Sequence, residues 1–582
     1  MISRQTTEKL FSKTRFKRYC WIVAAVLHIV ISFVCERKFF IWDEGFDIFW
    51  SVPLSNRYSN EFEIGMTYFI SKAMSVIMII LFWKLIQVIF EGRIPGKTLV
   101  IFLVAFLGLA GIGVASFPNS IIGDGGSDNL ITYVYSLRFL PFYWQSIYSG
   151  CFYSACFMCL PTHFAIPIIQ AFGVTVTLGY IYNMLDKKYK EGVAGFSKYS
   201  VFVMLLFTAF YECLTDPWRC CLFSVALLLY IAILVETALY REKISVTRYL
   251  LIVFIGAFLS AFRTEGILYC FGGFFGILLF KGLLKKKLTY VWILLFVIFY
   301  LVMNKPSSVG NEKYYGNDYL KVCFVNPLSN ILNDHDVKLD YEGAEQDISN
   351  IEKVVSTDIL RQDDYFGYLS SNYGKGFADI NQTGADKKTS DEFVSSAVRI
   401  VMHNPAIFLK SKVKLWLDAL SYENNITFDE YEGERVQYTK FSTAMWSNAK
   451  EDMLAIPVIA KWNGWRYRVA AKYRIDLVKD YYYYFINRTG IKAYSQLLLI
   501  LLTAVIVVTE IVNCFKGKHK YNALGWFSLI LDGCYVVTIL TMPGAFGAYF
   551  YPFTFSAFLV VIVYLAEKCD GIHRLKANLK ET

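Results

Sequence analysis

The chain has 582 residues, of which 55% are hydrophobic, 18% aromatic and only 18% charged, where a soluble chain of this length would carry nearer a quarter charged residues. Its formal net charge is +10, but the Lys and Arg lie in short clusters between apolar stretches and not on one tail or face, which argues against a nucleic-acid-binding protein. The composition is that of a polytopic membrane protein.

A membrane-spanning helix needs about 20 predominantly apolar residues. On that template the basic N-terminus, MISRQTTEKLFSKTRFKRYC, leads into a first span near 19–35. It lacks a small-residue cleavage site and reads as a retained anchor. Spans follow near 65–90, 98–117, 161–185, 199–214, 219–239, 248–262, 265–284 and 288–303, and, after a long polar stretch, near 495–514, 522–541 and 545–566. The expectation is an all-α polytopic membrane protein of about twelve transmembrane helices.

Its divisions are a basic segment with two spans (1–97), a transmembrane core (98–303) with an outer loop at 117–150, an α-rich extracytoplasmic domain (304–494), and three C-terminal spans with a basic tail (495–582). Cytoplasmic loops are enriched in Lys and Arg. The N-terminus, GRIPGK, DKKYK, YREK, KGLLKKK, FKGKHK and HRLKANLK fall on one side, and the acidic or short loops on the other. Both termini are therefore expected in the cytoplasm of a multi-pass cell-membrane protein. The membrane is taken as bacterial, although Asn381, Asn425 and Asn487 each open an Asn-x-Thr word that an endoplasmic lumen would glycosylate.

Within the polar stretch, SSAVRIVMHNPAIFLKSKVKLWLDAL (395–420) sets Val398, Ile400, Val401, Ile407, Phe408, Val413, Leu415, Trp416 and Leu420 among Lys410, Lys412 and Lys414. It reads as one or two amphipathic helices, lying either on the membrane surface or over the core of the domain. YYYYF (481–485) suits an interfacial aromatic belt. The 13 cysteines, as in YSACFMC and RCCLF, lack paired CxxC spacing and read as small apolar residues. His163, His335 and His403 show no ligand spacing, so no metal ligand set is assigned.

The chemistry-bearing stretch is SFPNSIIGDGGSDNLITY (116–133). It follows an apolar run and sets two carboxylates, Asp124 and Asp128, among glycines where the chain leaves the membrane. YVYSLRFLPFYW comes next, then another hydrophobic helix. This arrangement resembles the first outer loop of the GT-C superfamily of membrane glycosyltransferases, the polyprenyl-phosphate-sugar-dependent mannosyltransferases and arabinosyltransferases among them. CLTDPWRCCLFSVALLL (213–229), LSAFRTEGILYCFGGFFGILL (259–279) and MPGAFGAYFYPFTFSAFLV (542–560) extend the resemblance over 98–303 and 495–566. Two departures are plain: Ala548 stands where the final helix often carries Arg, and two spans precede residue 98.

The resemblance implies transfer of a hexosyl or pentosyl group from a polyprenyl-phosphate donor to a glycan or lipid-linked acceptor, with inversion at the anomeric carbon. Asp124, with Asp128 beside it, would supply the general base, and Asp43 and Glu44 in IWDEGFD are the backup. Arg263, Arg219 and Arg138 would hold the donor phosphate through charge-assisted hydrogen bonds, with Asp216, Glu265 and Asp532 in support. No cofactor is assigned, and a divalent cation stays open. Each residue also has a plainer reading. An Asp among glycines forms turns. Asp216 with Arg219, and Arg263 with Glu265, make interfacial ion pairs, and Asp532, deep in a span, needs a helix–helix partner. Two other functions also fit the sequence: an O-antigen or capsule-type polymerase, with similar spans and outer loop, and a flippase or transporter, which would gather its charges at the midplane of repeated helices.

Overall fold

The computed structural model describes residues 13–40, 61–116, 136–141, 143, 146–162, 164–205, 219–241, 243–315, 318–361, 387–421, 491–516, 522–542 and 547–581. Every regular element among them is helical. Seven helices are long and apolar enough to cross a membrane: Tyr19–Glu36, Phe62–Phe90, Ala165–Lys188, Arg219–Tyr240, Lys287–Lys313, Ser495–Phe515 and Ala523–Thr541. The protein is an α-helical membrane protein. The described residues form two compact units whose boundary falls between Gly179 and Tyr180.

The first unit contains α1 (Lys13–Phe39), α2 (Glu61–Phe90), α3 (Gly96–Ser116), α4 (Ile147–Cys159) and the start of α5 (Ala165–Lys188). The outward faces of α1 and α2 are apolar and bare: Val26, Val30 and Val34 are more than half exposed, as are Phe69 and Leu81. Such a surface is stable in lipid and not in water. The α4 helix is absent from the twelve-span reading. It starts where the Ser146 hydroxyl accepts a hydrogen bond from the Tyr148 amide (3.4 Å), and all but one of its 13 residues are buried. At about 20 Å it is too short to span a bilayer. It lies against α2, with the Cys151 thiol directed at the Thr67 carbonyl (3.8 Å) and the Cys159 thiol at the Ser75 carbonyl (3.5 Å).

The second unit takes in the rest of α5, a 3-10 helix (Val193–Tyr199), α6 (Ser200–Met204), α7 (Arg219–Tyr240), α8 (Val246–Phe262), α9 (Gly266–Phe280) and α10 (Lys287–Tyr315). Then come α11 (Asp318–Leu332), α12 (Ala344–Glu352), α13 (Thr357–Leu360), α14 (Lys387–His403), α15 (Pro405–Ser421), α16 (Ile491–Phe515), α17 (Ala523–Thr541) and α18 (Tyr551–Glu581). Most of the expected span at 199–214 falls outside the described residues. The α10 helix runs past the expected end at 303, through Pro306 and a polar turn-rich sequence, to Tyr315.

Small residues set the packing of the apolar part. A Cβ at Gly276 would lie 2.4 Å from the Trp526 ring, and one at Gly272 would lie 2.8 Å from Ile530, so α9 approaches α17 along a glycine face. The Trp526 indole closes that contact by donating to the Gly272 carbonyl (3.0 Å).

Helices α11 to α15 pack together through a polar frame. The Asn333 amide and Ser329 hydroxyl both donate to the Leu360 carbonyl (2.9 and 2.6 Å). Asn404, between α14 and α15, accepts from the Lys338 amide (2.7 Å) and donates to its carbonyl (3.1 Å). Pro405 follows, so the expected amphipathic stretch is two helices broken at Asn404, and the break is held by a side chain bonded in place of the backbone.

Candidate functional site

Asp124, Asp128, Asp43, Glu44 and Asp216 lie outside the described residues. Arg138 is buried in the first unit, and Arg219, Arg263, Glu265 and Asp532 belong to the second.

Arg263 ends α8. Its amide donates to the Leu259 carbonyl (3.2 Å), and its own carbonyl accepts from Gly266 (2.9 Å), so the chain reverses into α9 within three residues. Only glycine fits the last of these, because a Cβ at 266 would meet the Leu259 carbonyl oxygen at 2.5 Å. The reversal forces the Arg263 guanidinium and the Glu265 carboxylate into a direct ion pair. Arg263 is 4% exposed, and its guanidinium faces the rings of Phe223 (5.7 Å) and Tyr549 (5.8 Å). Arg219, at the start of α7, lies within electrostatic reach of the same carboxylate. Two guanidinium groups thus face one carboxylate.

Tyr269, one turn beyond Glu265, lies within electrostatic reach of Glu265, Arg263, Cys534 and Tyr535. Its hydroxyl is buried and has no hydrogen-bond partner among the described residues. Tyr535, on α17, packs against Phe550 (4.7 Å) and Phe553 (4.6 Å) at the start of α18. Its hydroxyl accepts from the Trp416 indole on α15 (2.7 Å). One turn earlier on α15, Lys412 is 1% exposed and donates to the Met542 carbonyl just past α17 (2.8 Å). A polar seam thus runs from Arg263 to α15 at one end of the second unit's bundle.

The opposite end is a separate network. Arg248 bonds Glu236 (2.6 Å), Thr237 (2.7 Å) and the Ile233 carbonyl (3.1 Å), and Tyr180 closes on the same carboxylate. Tyr189 meets Tyr240 (2.7 Å) and Glu567 (2.8 Å). These groups satisfy one another and tie helix ends together.

Three of the expected residues also make the pairings of their plainer reading. Arg263 and Glu265 are an ion pair, and Asp532 accepts from the Thr503 hydroxyl on α16 (2.7 Å), a helix–helix hydrogen bond inside the membrane. Two groups escaped the sequence reading. Glu36 on α1 and Lys72 on α2 form an ion pair at 4% and 10% side-chain exposure; the Tyr68 hydroxyl donates to Glu36 (3.0 Å) and the Lys72 ammonium to Ser32 (3.0 Å). Lys72, well inside the apolar run 65–90, was the available signal, since such a residue needs an internal partner. Lys412 is the other: the sequence grouped it with Lys410 and Lys414, but it alone of the three is buried. Among the described residues no three His, Cys, Asp or Glu side chains converge on a metal position. Compared with known protein families, with curated proteins and with solved structures, the chain matches none.

Proposed function

We propose that the protein is a GT-C-type glycosyltransferase of about twelve spans, with both termini cytoplasmic. It transfers a sugar from a polyprenyl-phosphate donor to a cell-surface glycan or lipid acceptor on the extracytoplasmic face. The observation that carries this reading is the net-positive cluster of Arg263, Arg219 and Glu265 at one end of the membrane bundle, next to Tyr549 and the buried Tyr269 hydroxyl. A lipid-borne phosphate enters at such a depth, and guanidinium groups bind it as paired donors. Because Glu265 already holds one edge of Arg263, the donor shares that Arg and draws its remaining charge from Arg219. Arg138 is the third cation of this reading.

In the reaction, Asp124 takes the proton of the acceptor hydroxyl as its oxygen bonds to the anomeric carbon. The bond from that carbon to the phosphate oxygen breaks, and the phosphate leaves with its electron pair, stabilised by the Arg groups. Asp43 and Glu44 replace Asp124 if the first outer loop holds the acceptor. The test is thin-layer analysis of labelled polyprenyl-phosphate sugars in membranes with and without the protein. Loss of donor with appearance of a glycosylated acceptor supports the proposal, and unchanged donor overturns it. Processive extension, in place of a single addition, would move the reading to a polymerase.

A further inference from the structure

Three lysines lie within five residues on α15, and their surroundings differ. Lys410 reaches Asp334, two residues past the end of α11 (3.6 Å), and is largely exposed, and Lys414 is exposed. Lys412 points the other way. Its ammonium is buried beneath α15, bonded to the Met542 carbonyl and set over the Phe408 ring (5.7 Å to its centre). No carboxylate among the described residues pairs with it, and among them only the Met542 carbonyl accepts from its three N–H groups. A buried ammonium with one neutral hydrogen bond is costly and calls for a counter-charge. Burial lowers the Lys412 ammonium to about 8.

The position of Lys412 narrows what that counter-charge is. Met542 ends a membrane-spanning helix, and Trp416, one turn on, is bonded to Tyr535 of the same helix. Leu409, Val413 and Leu417 form an exposed apolar stripe on α15, about half exposed each, as on a helix resting at the edge of a bilayer. The anions concentrated at that depth are lipid phosphates. We propose that Lys412 is a lipid-phosphate anchor, taking a phosphate oxyanion between α15 and the end of α17. The phosphate belongs to a polyprenyl-phosphate donor or to a bilayer phospholipid. The donor alternative rests on the function proposed above and adds a cation from the extramembrane helices to the donor site; the phospholipid alternative does not depend on that function.

The test is native mass spectrometry of the full chain in detergent, titrated with dodecaprenyl phosphate, with dodecaprenol as the uncharged control and with phosphatidylglycerol as competitor. Wild type and Lys412→Arg should retain the phosphate lipid over dodecaprenol. Lys412→Met should bind it on the order of tenfold to a hundredfold more weakly, as for a lost charge-assisted hydrogen bond, while Lys353→Met should bind as wild type. Displacement by equimolar phosphatidylglycerol assigns the site to a bilayer headgroup, and resistance to it assigns the site to the donor. Equal binding by wild type and Lys412→Met overturns the proposal whether or not the protein transfers sugar, whereas lost binding without any transfer activity keeps it and removes the glycosyltransferase reading. Should Lys412→Met fail to fold, a diazirine-bearing polyprenyl phosphate is cross-linked to wild type and mapped by peptide: label within 405–421 supports the anchor, and its absence there overturns it.

Discussion

Arg263 and Glu265 are unequal partners, because the guanidinium is 3% exposed and the carboxylate 22%. Removing the carboxylate takes a charged partner from a buried guanidinium, whereas replacing both by apolar groups takes the buried charge away as well. Breaking a buried pair by one partner costs about 3–5 kcal/mol, and the remaining exposure of Glu265 places Glu265→Ala near the lower figure. Thermal unfolding in detergent should show a clear fall in Tm for Glu265→Ala and partial recovery in Arg263→Met/Glu265→Met; a double variant less stable than Glu265→Ala would mean the pair is not the source of the loss. A second residue-scale case lies outside the membrane. Asp347 on α12 is 1% exposed, accepts two hydrogen bonds from Arg399 Nε (3.0 and 3.1 Å) and one from Tyr341 (2.9 Å). Burial would raise its carboxyl, but the Arg399 and Ser396 contacts hold it below its ordinary value. Because the folded value is the lower one, the stabilisation is complete above about pH 4, the unfolded range of Asp, and is lost as pH falls through the folded value. Hydrogen exchange in α12 and α14 should therefore accelerate on acidification below pH 4 in wild type, and Asp347→Asn should be faster at neutral pH with a flatter acid response.

At the scale of elements, the sequence was most informative where one physical rule governs. Long apolar runs became long helices, and the 395–420 pattern became α14 and α15, because apolar periodicity and length need no tertiary information. It was silent on α4, whose 13 residues mix Ser, Gly, Tyr and Cys and fail the length rule; the helix exists because α2 buries it. It also could not tell Lys412 from Lys410 and Lys414, since all three lie within two turns and only the packing of α15 on α17 separates them. The Arg263–Glu265 pairing was legible from two residues at a turn, but the Tyr269–Tyr535–Trp416 seam joins three helices distant in sequence and was not. The orientation of α15 gives a prediction. Nitroxides at Leu409, Val413 and Leu417, each introduced through Cys, should relax with dissolved oxygen more than with a water-soluble nickel chelate when the protein is in a bilayer, and a nitroxide at Lys414 should do the reverse. Equal access to the chelate at all four sites would make α15 an ordinary cover of the extramembrane helices.

At the scale of the whole molecule, the sidedness of the second unit follows from where its helix ends meet. The last turn of α5 meets that of α7, with Lys188 over the Tyr240 ring (5.1 Å), and the end of α9 reaches the end of α7, with Lys281 donating to the Arg241 carbonyl (2.5 Å). Arg248 at the start of α8 joins the same end. Tyr189 ties Glu567 of α18 there, about 24 Å along the helix from its Tyr551 start. The ends marked by Lys and Arg in the sequence are thus one end of the bundle, and Arg263, Tyr535 and Met542 belong to the other. In the proposed orientation the basic end follows the positive-inside preference and faces the cytoplasm, with α11 to α15 outside. Single-cysteine labelling of intact cells should then find Lys285, Lys518 and both termini protected, and Asp124 and Ile400-flanking positions such as Met402 reactive. Labels at Lys285 and Met402 on the same side would contradict the geometry of α9 and α10, and the reverse orientation would keep the fold but remove the outward-facing phosphate site on which the proposed reaction depends.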